Sequence, residues 1–449
     1  MNIYQLLQRK AATGRPRRIG VIGAGKFSTM FLAQVRLTPG IQLVGIAELK
    51  PEKSRQACLR VGFPEDSLSF ASSAAAINDG ARRGKTTLTD DPDQLIQADL
   101  DIILEITGVP EAGTYHAWQA LEADKHVIMV NVEADALLGP VLKKKADEKG
   151  LVYSLAYGDQ PALICELVDW ARAIGVEVVC AGKGTRYQPE YHYSTPKTVW
   201  KYYGFSEEQL QSGDYNAQMF NSFLDGTKSA IEMCAVANAS GLSPQRCGLK
   251  FPPVGVDALA DTLKPESAGG ILEHSGTVEV IASETRDGTP VEGGLRWGVY
   301  VVFKAPSDYV KRCFLEYGLA TDSSGQYAAL YRPYHLIGLE LGISVASVGL
   351  RGEPTGSPQS FLADVASVAK KELKAGDILD GEGGYTVYGR LARAEDSLAA
   401  GYLPIGLSSQ ARVIRPVAKG TVLSYDDVAI DDRLFSYKIR KIMEKDNPY

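Results

Sequence analysis

A glycine turn set between a short apolar run and a helix-compatible stretch limits the fold more than any other feature of this chain. Ile19-Gly20-Val21-Ile22 leads into Gly23-Ala24-Gly25, and Phe27 to Val35 follows. That order suits a dinucleotide phosphate site. Gly23 permits a tight turn, Gly25 lets backbone N–H groups approach a pyrophosphate, and the helix N-terminus behind them adds a partial positive charge. Lys26 and Phe27 open the helix and belong to the same candidate cradle. Where the fingerprint has a third glycine this chain has Ser28, which is small but less suited to close helix–strand packing. Many βα turns carry Gly-x-Gly for turn geometry alone, so the following segments decide.

Ile41 to Ala47 is a second apolar run, and it ends in Glu48. An acidic residue about 20 positions beyond the turn normally accepts hydrogen bonds from the adenosine ribose and repels a 2′-phosphate. Glu48 therefore favours NAD(H) over NADP(H). Lys50, Lys53 and Arg55 just behind it could reverse that preference, and a solvated strand end would need no ligand at all. Arg55 to Gly84 reads as helices over a sheet. Asp99 to Gly108 reads as a buried strand with a Thr107-Gly108 exit, and Pro110 starts a helix. Lys125 to Asn131 is another strand, Ala134 to Lys149 a helix, and Leu151 to Leu155 one more strand. Strands alternating with helices over about 150 residues predict a parallel, doubly wound sheet with ligands at the carboxyl ends of its strands. Gly25, Thr107, Gly108, Asn131 and Tyr157-Gly158-Asp159 then share one rim, and Thr107, Asn131 and Glu133 would line the nicotinamide ribose.

Composition narrows the class further. The chain has 449 residues, 45% hydrophobic and 23% charged, with a formal net charge of −6 and no basic block. Nucleic acid is therefore not an expected partner. No apolar run approaches the roughly 20 residues of a membrane span, and Met1 to Arg18 lacks the apolar core of a signal peptide. The six cysteines include no C-x-x-C pair, and no two of the five histidines have zinc-ligand spacing. A cytoplasmic protein with reduced thiols, a small-molecule substrate and a homo-oligomeric state (dimer or tetramer) is expected.

Beyond Gly158 the composition shifts. Pro161 to Ile174 has helical periodicity, Val176 to Cys180 is a strand, and Gly182 to Pro196 is a polar loop dense in tyrosine. Long irregular loops in compact domains are usually functional or disordered, and aromatic density argues against disorder. Lys228 and Glu232 are four apart on an apolar helix running to Asn238, so they share a face, either as a surface salt bridge or as a cleft-facing pair. Thr277 to Ser283, Trp297 to Phe303 and Ala328 to Tyr331 read as antiparallel strands, and Arg332-Pro333-Tyr334-His335 opens a helix to about Val348. Arg351 to Gln359 is a linker by composition. Val365 to Asp380 reads as strand, turn and strand, and its pattern nearly recurs at Val413 to Leu423. The predicted organisation is α/β: an N-terminal Rossmann domain over 1–156, an α+β catalytic domain over 157–350, and a linker with a small β-rich domain over 351–449.

With these residues in hand, the stretch from about Arg17 to Asp431 resembles the 1-deoxy-D-xylulose-5-phosphate reductoisomerase-like family, distant relatives of homoserine dehydrogenase. The resemblance is carried by Val130-Asn131-Val132-Glu133-Ala134-Asp135, Gly158-Asp159-Gln160-Pro161, Ala181-Gly182-Lys183-Gly184, Asp225-Gly226-Thr227-Lys228 with Glu232-Met233, Ala237-Asn238-Ala239-Ser240-Gly241 and Arg332-Pro333-Tyr334-His335. The tail from Phe361 looks like an SAF domain. This chain departs from the family in several places. Glu48 argues for NAD where characterised members use NADPH. Gln160 replaces a glutamate, the loop after Lys183 differs, and Val132 stands where homoserine dehydrogenase has lysine.

The resemblance implies an NAD(P)-dependent oxidoreductase acting on a small hydroxylated carbonyl compound or sugar phosphate. Hydride transfer needs a cation or proton donor at the developing alkoxide. Lys183 and Lys228 are the candidates, with Asp159 and Glu232 orienting them or binding substrate hydroxyls. Gln160, Arg186, Tyr187, His192, Arg332 and His335 are candidate substrate-binding residues. The specific version is a carbon-skeleton rearrangement before reduction, which needs a divalent cation (Mg2+ or Mn2+) or equivalent charge, with Asp159 and Glu232 as candidate ligands. Simple reduction of another polyol or semialdehyde is the alternative. A third reading is a non-catalytic protein that binds dinucleotide or carbohydrate.

Overall fold

Short apolar strands separated by helices build one sheet from the first third of the chain. The computed structural model describes residues 2–212 and 215–447. β1 (Arg17–Ile22), β2 (Ile41–Ala47), β3 (Leu68–Phe70), β4 (Thr86–Thr89), β5 (Ile102–Glu105), β6 (His126–Met129) and β7 (Tyr153–Leu155) form a seven-stranded sheet in the order β3-β4-β2-β1-β5-β6-β7. Every pairing in it is parallel. Strands β4, β5 and β7 are buried along their whole length, as expected when helices cover both faces. The chain order reverses between β1 and β5, which makes their carboxyl ends the switch point where ligands of such sheets bind. This unit is a Rossmann-type α/β fold.

One strand lies where the sequence reads as helices, and a second lies just beyond, where the sequence reading assigns no element. β3 falls inside Arg55 to Gly84, between helices Pro51–Arg60 and Ala74–Arg82, and β4 follows directly. β3 has three residues, and β4 reads Thr-Thr-Leu-Thr, so neither makes an apolar run long enough to register.

The chain divides into two compact units, Met1–Leu163 with Leu336–Pro358, and Ile164–His335 with Gln359–Tyr449. The division predicted from sequence has three parts, whereas here Gln359–Tyr449 belongs to the second unit. Leu336–Pro358 returns to the first unit because Leu341, Val345 and Val348 enter the core made by Ile19, Phe31 and Leu32. No helix starts at Arg332. The chain leaves its strand there and turns through Gly338, where a side chain would lie 2.4 Å from the Phe27 carbonyl oxygen, before helix Leu341–Ala346.

The second unit is built on a mixed sheet. β8 (Glu177–Thr185), β9 (Thr277–Ala282), β10 (Val299–Lys304), β11 (Ala320–Thr321) and β12 (Tyr327–Arg332) lie in the order β11-β12-β10-β8-β9. β10 is antiparallel to β8 and β12, as expected, but β9 runs parallel to β8. The long connection from β8 to β9 contains the Thr227–Ser240 helix and brings the chain back in the same direction. β8 also runs to Thr185, five residues past the predicted end, so Lys183 lies on a strand instead of in a loop.

The C-terminal part packs on this second unit. β13 (Ala363–Ala369) pairs with β14 (Val387–Arg393), beyond the strand, turn and strand that the sequence predicts over Val365 to Asp380. The segment after β13 pairs with its own near-repeat. Leu373 and Val417 exchange both backbone hydrogen bonds, at 2.9 and 3.0 Å. Gly376 N–H to Val413 C=O is matched by Gly420 N–H to Ala369 C=O, each at 2.8 Å. The recurrence in sequence thus becomes a local two-fold arrangement. Arg440, fully buried, binds both carboxylate oxygens of Asp364 at 3.2 and 2.5 Å and fixes the Phe435–Asp446 helix to β13.

Candidate active site

In the first unit, β1 delivers the glycine turn to the switch point. Gly23 has φ +103° and donates its N–H to Ala47 at 2.8 Å; a Cβ there would sit 3.0 Å from the Ile106 carbonyl carbon and oxygen. Gly25 is the N-cap of helix Lys26–Val35 and offers no side-chain cap, and a Cβ placed on it would meet nothing within 4 Å. The helix N-terminus is therefore left open, as an incoming anion requires. Lys26 is exposed beside it, and Phe27 packs its ring on the core. Ser28 is fully buried and its Oγ has no hydrogen-bond partner, so serine takes the packing position of the third glycine at some polar cost. Glu48 Oε2 accepts the Ala24 N–H at 2.9 Å, and Lys53 Nζ lies 3.8 Å from the same oxygen. These residues fit a dinucleotide: open N–H donors for its phosphates and a carboxylate at the end of β2 for ribose hydroxyls.

Across the switch point, Thr107, Gly108 and Asn131 belong to one hydrogen-bonded corner. Asn131 caps helix Val132–Glu148 by accepting the Ala134 N–H at 3.1 Å. Its amide donates to Thr107 Oγ1 at 3.2 Å and to the Val109 carbonyl at 3.1 Å. Gly108 is exposed with φ +68°, and Glu133 is half-buried in the first helical turn. Two residues that sequence reasoning did not single out organise this corner. Glu105, fully buried at the end of β5, accepts from Thr107 Oγ1 at 2.6 Å and lies 3.2 Å from His116 Nδ1. Its signal was a carboxylate ending an otherwise apolar strand. Farther along the rim, Gly158 has φ +92°, Asp159 Oδ1 accepts the Gln160 N–H at 2.9 Å, and Gln160 is buried.

In the second unit, Lys183 and Glu232 come together from 49 positions apart. Both are buried, at 4% and 2% exposure, and Lys183 Nζ donates to Glu232 Oε2. The glycines flanking Lys183 have a steric cause. A Cβ on Gly182 would lie 1.8 Å from the Glu279 carbonyl oxygen, and one on Gly184 would lie 1.4 Å from that of Leu295. Neighbouring backbone therefore closes in on both sides of Lys183. Lys228 is half-buried in the first turn of the helix that carries Glu232. Lys183 pairs in register with Val299, and Val299 with Arg332. Directly paired residues share a sheet face, so Lys183 and Arg332 stand on one face about 10 Å apart. Arg332 packs over the Tyr334 ring, and His335 Nδ1 donates to the Trp297 carbonyl at 2.7 Å.

The loop after Lys183 is an aromatic wall held by internal bonds. Arg186 is paired with Glu284 at 2.6 Å and donates to the Tyr202 carbonyl. Tyr187 stacks on Phe251 at 3.9 Å between ring centroids. His192 Nδ1 faces the Asp225 carbonyl at 2.7 Å, and a carbonyl only accepts, so this nitrogen carries the proton. Nε2 then accepts the Tyr187 hydroxyl at 3.0 Å. Burial holds the imidazole below the usual histidine range, which agrees with a neutral ring. Both ring nitrogens are thus committed inside the wall.

Glu279, beneath the wall on β9, is fully buried, and burial pushes its carboxyl up to about 7. It accepts the Val280 N–H at 2.8 Å and the Gln245 amide at 2.9 Å. Among the described residues, no group of three or more His, Cys, Asp or Glu is placed to hold a metal ion. Glu232, one of the two ligands considered for a divalent cation, already faces an ammonium group. Among the described residues, no helix is long and apolar enough to cross a membrane.

Two family descriptions match the chain. Residues 19–154 match the NAD-binding domain of homoserine dehydrogenase, and residues 158–341 match "Oxidoreductase DRL, catalytic domain". Both matched stretches are thus similar to oxidoreductase domains, the first of them a dinucleotide-binding domain. Neither match extends past residue 341, so the SAF resemblance of the tail has no counterpart here. A comparison with curated proteins finds no match. Among solved structures, apo scyllo-inositol dehydrogenase from Lactobacillus casei is 16% identical at a TM-score of 0.27, over 43% of this chain and 50% of that one. The same enzyme with bound NAD(H) and scyllo-inositol is 14% identical at a TM-score of 0.32, over 64% and 73%. Biliverdin reductase from Synechocystis sp. PCC 6803 is 18% identical at a TM-score of 0.26, over 40% and 52%. The chain thus spans about half the length of the first of these neighbours.

Proposed function

We propose that this chain is an NAD(P)-dependent oxidoreductase that interconverts a small hydroxylated carbonyl compound and its alcohol, with Lys183 as the proton donor and Glu232 as the group that holds it charged and oriented. The observation that carries this reading is the buried Lys183–Glu232 pair, set between two glycines that only close backbone approach requires. An ammonium held in a site of low dielectric is well suited to stabilise an alkoxide as it forms. Hydride to or from the carbonyl carbon is the chemistry a nicotinamide dinucleotide supplies when bound. In the reducing direction the carbonyl oxygen takes a proton from Lys183 as the C–H bond forms; in the oxidising direction the lysine amine takes the hydroxyl proton. Arg332, on the same sheet face, suits an anionic group of the substrate such as a phosphate.

NAD(H) is the proposed cofactor, because Glu48 presents a carboxylate where a 2′-phosphate would sit. The reductoisomerase version, 1-deoxyxylulose 5-phosphate to 2-C-methylerythritol 4-phosphate, would draw its charge from Lys183 and Lys228. Incubation with NADH or NADPH and a panel of hydroxyaldehydes, hydroxyketones and sugar phosphates tests the reading, with and without chelator. Cofactor oxidation that persists in chelator is expected, and no oxidation with any substrate rejects the proposal. Lys183→Met is expected to lower kcat by about 10²–10⁴-fold with cofactor affinity unchanged. Parental turnover in that variant would remove Lys183 from the mechanism.

A further inference from the structure

Within the second unit, a buried lysine of the C-terminal part bonds to the segments around residues 194 and 225. Lys370, just past β13, places its ammonium against the Asp225 carboxylate at 2.6 Å, the Ser194 carbonyl at 2.9 Å and the Gly384 carbonyl at 2.8 Å. All three N–H donors are satisfied, and the side chains of Lys370 and Asp225 are 2% and 0% exposed. The other Asp225 oxygen accepts the Thr227 N–H at 2.9 Å, in the first turn of the helix that carries Lys228 and Glu232. β14 grips the same turn, with Gly389 N–H donating to Thr227 Oγ1 at 2.8 Å. A side chain on Gly389 would come within 2.9 Å of Thr227 Cγ2. Two bonds from the C-terminal part therefore meet at the start of one helix.

A buried ion pair is a poor device for stability, since desolvation offsets much of its attraction, but it fixes geometry. We infer that Lys370 is a positioning residue for the Lys183–Glu232 pair, and that the C-terminal part is an integral portion of the catalytic unit. The inference rests on the proposed role of that pair. Lys370 sets Asp225, Asp225 sets the first turn of the helix, and the helix sets the depth and rotation at which Glu232 meets Lys183. A lysine shifted by even an ångström loses much of its rate advantage.

Lys370→Met and the doubly neutral Lys370→Met with Asp225→Asn test this in the full-length protein. The double variant leaves no unpaired buried charge, so its thermal midpoint is expected near the parent's. Its kcat is expected to fall about tenfold or more while KM for NADH stays within about twofold. Reductive methylation of Lys183, followed by peptide mass spectrometry, is expected to become several-fold faster as the pair loosens. Parental kcat and parental Lys183 reactivity in a folded double variant would overturn the inference. If neither variant folds, Thr227→Val removes the Thr227 side-chain bonds to Gly389 and Asp225; a fall in kcat at unchanged KM supports the inference, and parental kcat and labelling overturn it. The methylation rate is read without turnover. A parent protein inactive on every substrate would therefore defeat the functional reading and leave the labelling result to decide this one.

Discussion

In the first unit the groups offered to a ligand are backbone N–H groups, left open at Gly25 by the absence of a side-chain cap. The second unit instead holds charged side chains that neutralise one another out of water, Lys183 with Glu232 and Lys370 with Asp225. The first arrangement needs a strand, two glycines and a helix in immediate succession, so a dozen residues specify it. The second needs strands and helices from distant parts of the chain to converge within an ångström. A backbone cradle is broken by adding atoms. A buried charge pair is broken by removing one partner, which leaves the other charge stranded.

That contrast can be attacked from the cradle side first. Gly23→Ala places a methyl 3.0 Å from the Ile106 carbonyl in a backbone conformation that L-residues avoid. The expected cost is about 1–3 kcal/mol of stability together with a loss of cofactor affinity, by thermal unfolding and fluorescence titration. Ser28→Gly in the same assays should leave affinity intact, because Ser28 Oγ has no partner to lose. A smaller effect is expected at Glu48. Glu48→Ala removes the carboxylate from the end of β2 and should shift the NADH:NADPH preference about tenfold toward NADPH, or about 1.4 kcal/mol. An unchanged ratio would show that the Lys53 side sets cofactor choice.

A separate test reads stability alone, at a buried carboxyl outside the proposed chemistry. Asp135 accepts the Tyr153 hydroxyl at 2.9 Å, its second oxygen has no partner, and burial raises its carboxyl from 3.8 to about 7. In the unfolded chain this group ionises near 4, so between about pH 4 and pH 7 the folded state holds a proton that the unfolded chain has released. Its contribution to stability is complete below the unfolded value and is lost as pH rises through the folded one, by at most about 1.4 kcal/mol per pH unit. Asp135→Asn should flatten the dependence of unfolding free energy on pH across that window, measured by denaturant titration at several pH values. A slope equal to the parent's would mean that Asp135 stays ionised.

Legibility in the sequence followed the same divide. The glycine turn, the strands around it and the Thr107–Asn131 rim could be read because each rests on residues close together in the chain. β3 and β4 escaped because a three-residue edge strand and a threonine-rich one carry no apolar run. Lys183 is visible from its Gly-Lys-Gly setting, and Glu232 from its expected role of orienting the lysines, but the strand that carries Lys183 is not. Lys228 and Glu232 lie four apart on the Thr227–Ser240 helix, as the spacing predicts, and the fold adds Lys183 to that carboxylate from β8. His192 and Arg186 read as substrate ligands because polar side chains in an aromatic loop attract that reading; in the structure they bond to Tyr187, Tyr202, Asp225 and Glu284. Lys370 gave no local signal, since one lysine in a charged turn looks solvated until its acceptors from distant segments converge on it.

The most direct test of the proposed chemistry is a double-mutant cycle on kcat with Lys183→Met, Glu232→Gln and both together, with cofactor affinity measured alongside. If the two residues act as one proton-donating unit, the double variant should be no slower than Lys183→Met alone, and NADH affinity should stay at the parental value throughout. Losses that simply add, or a Glu232→Gln variant with parental kcat, would contradict it.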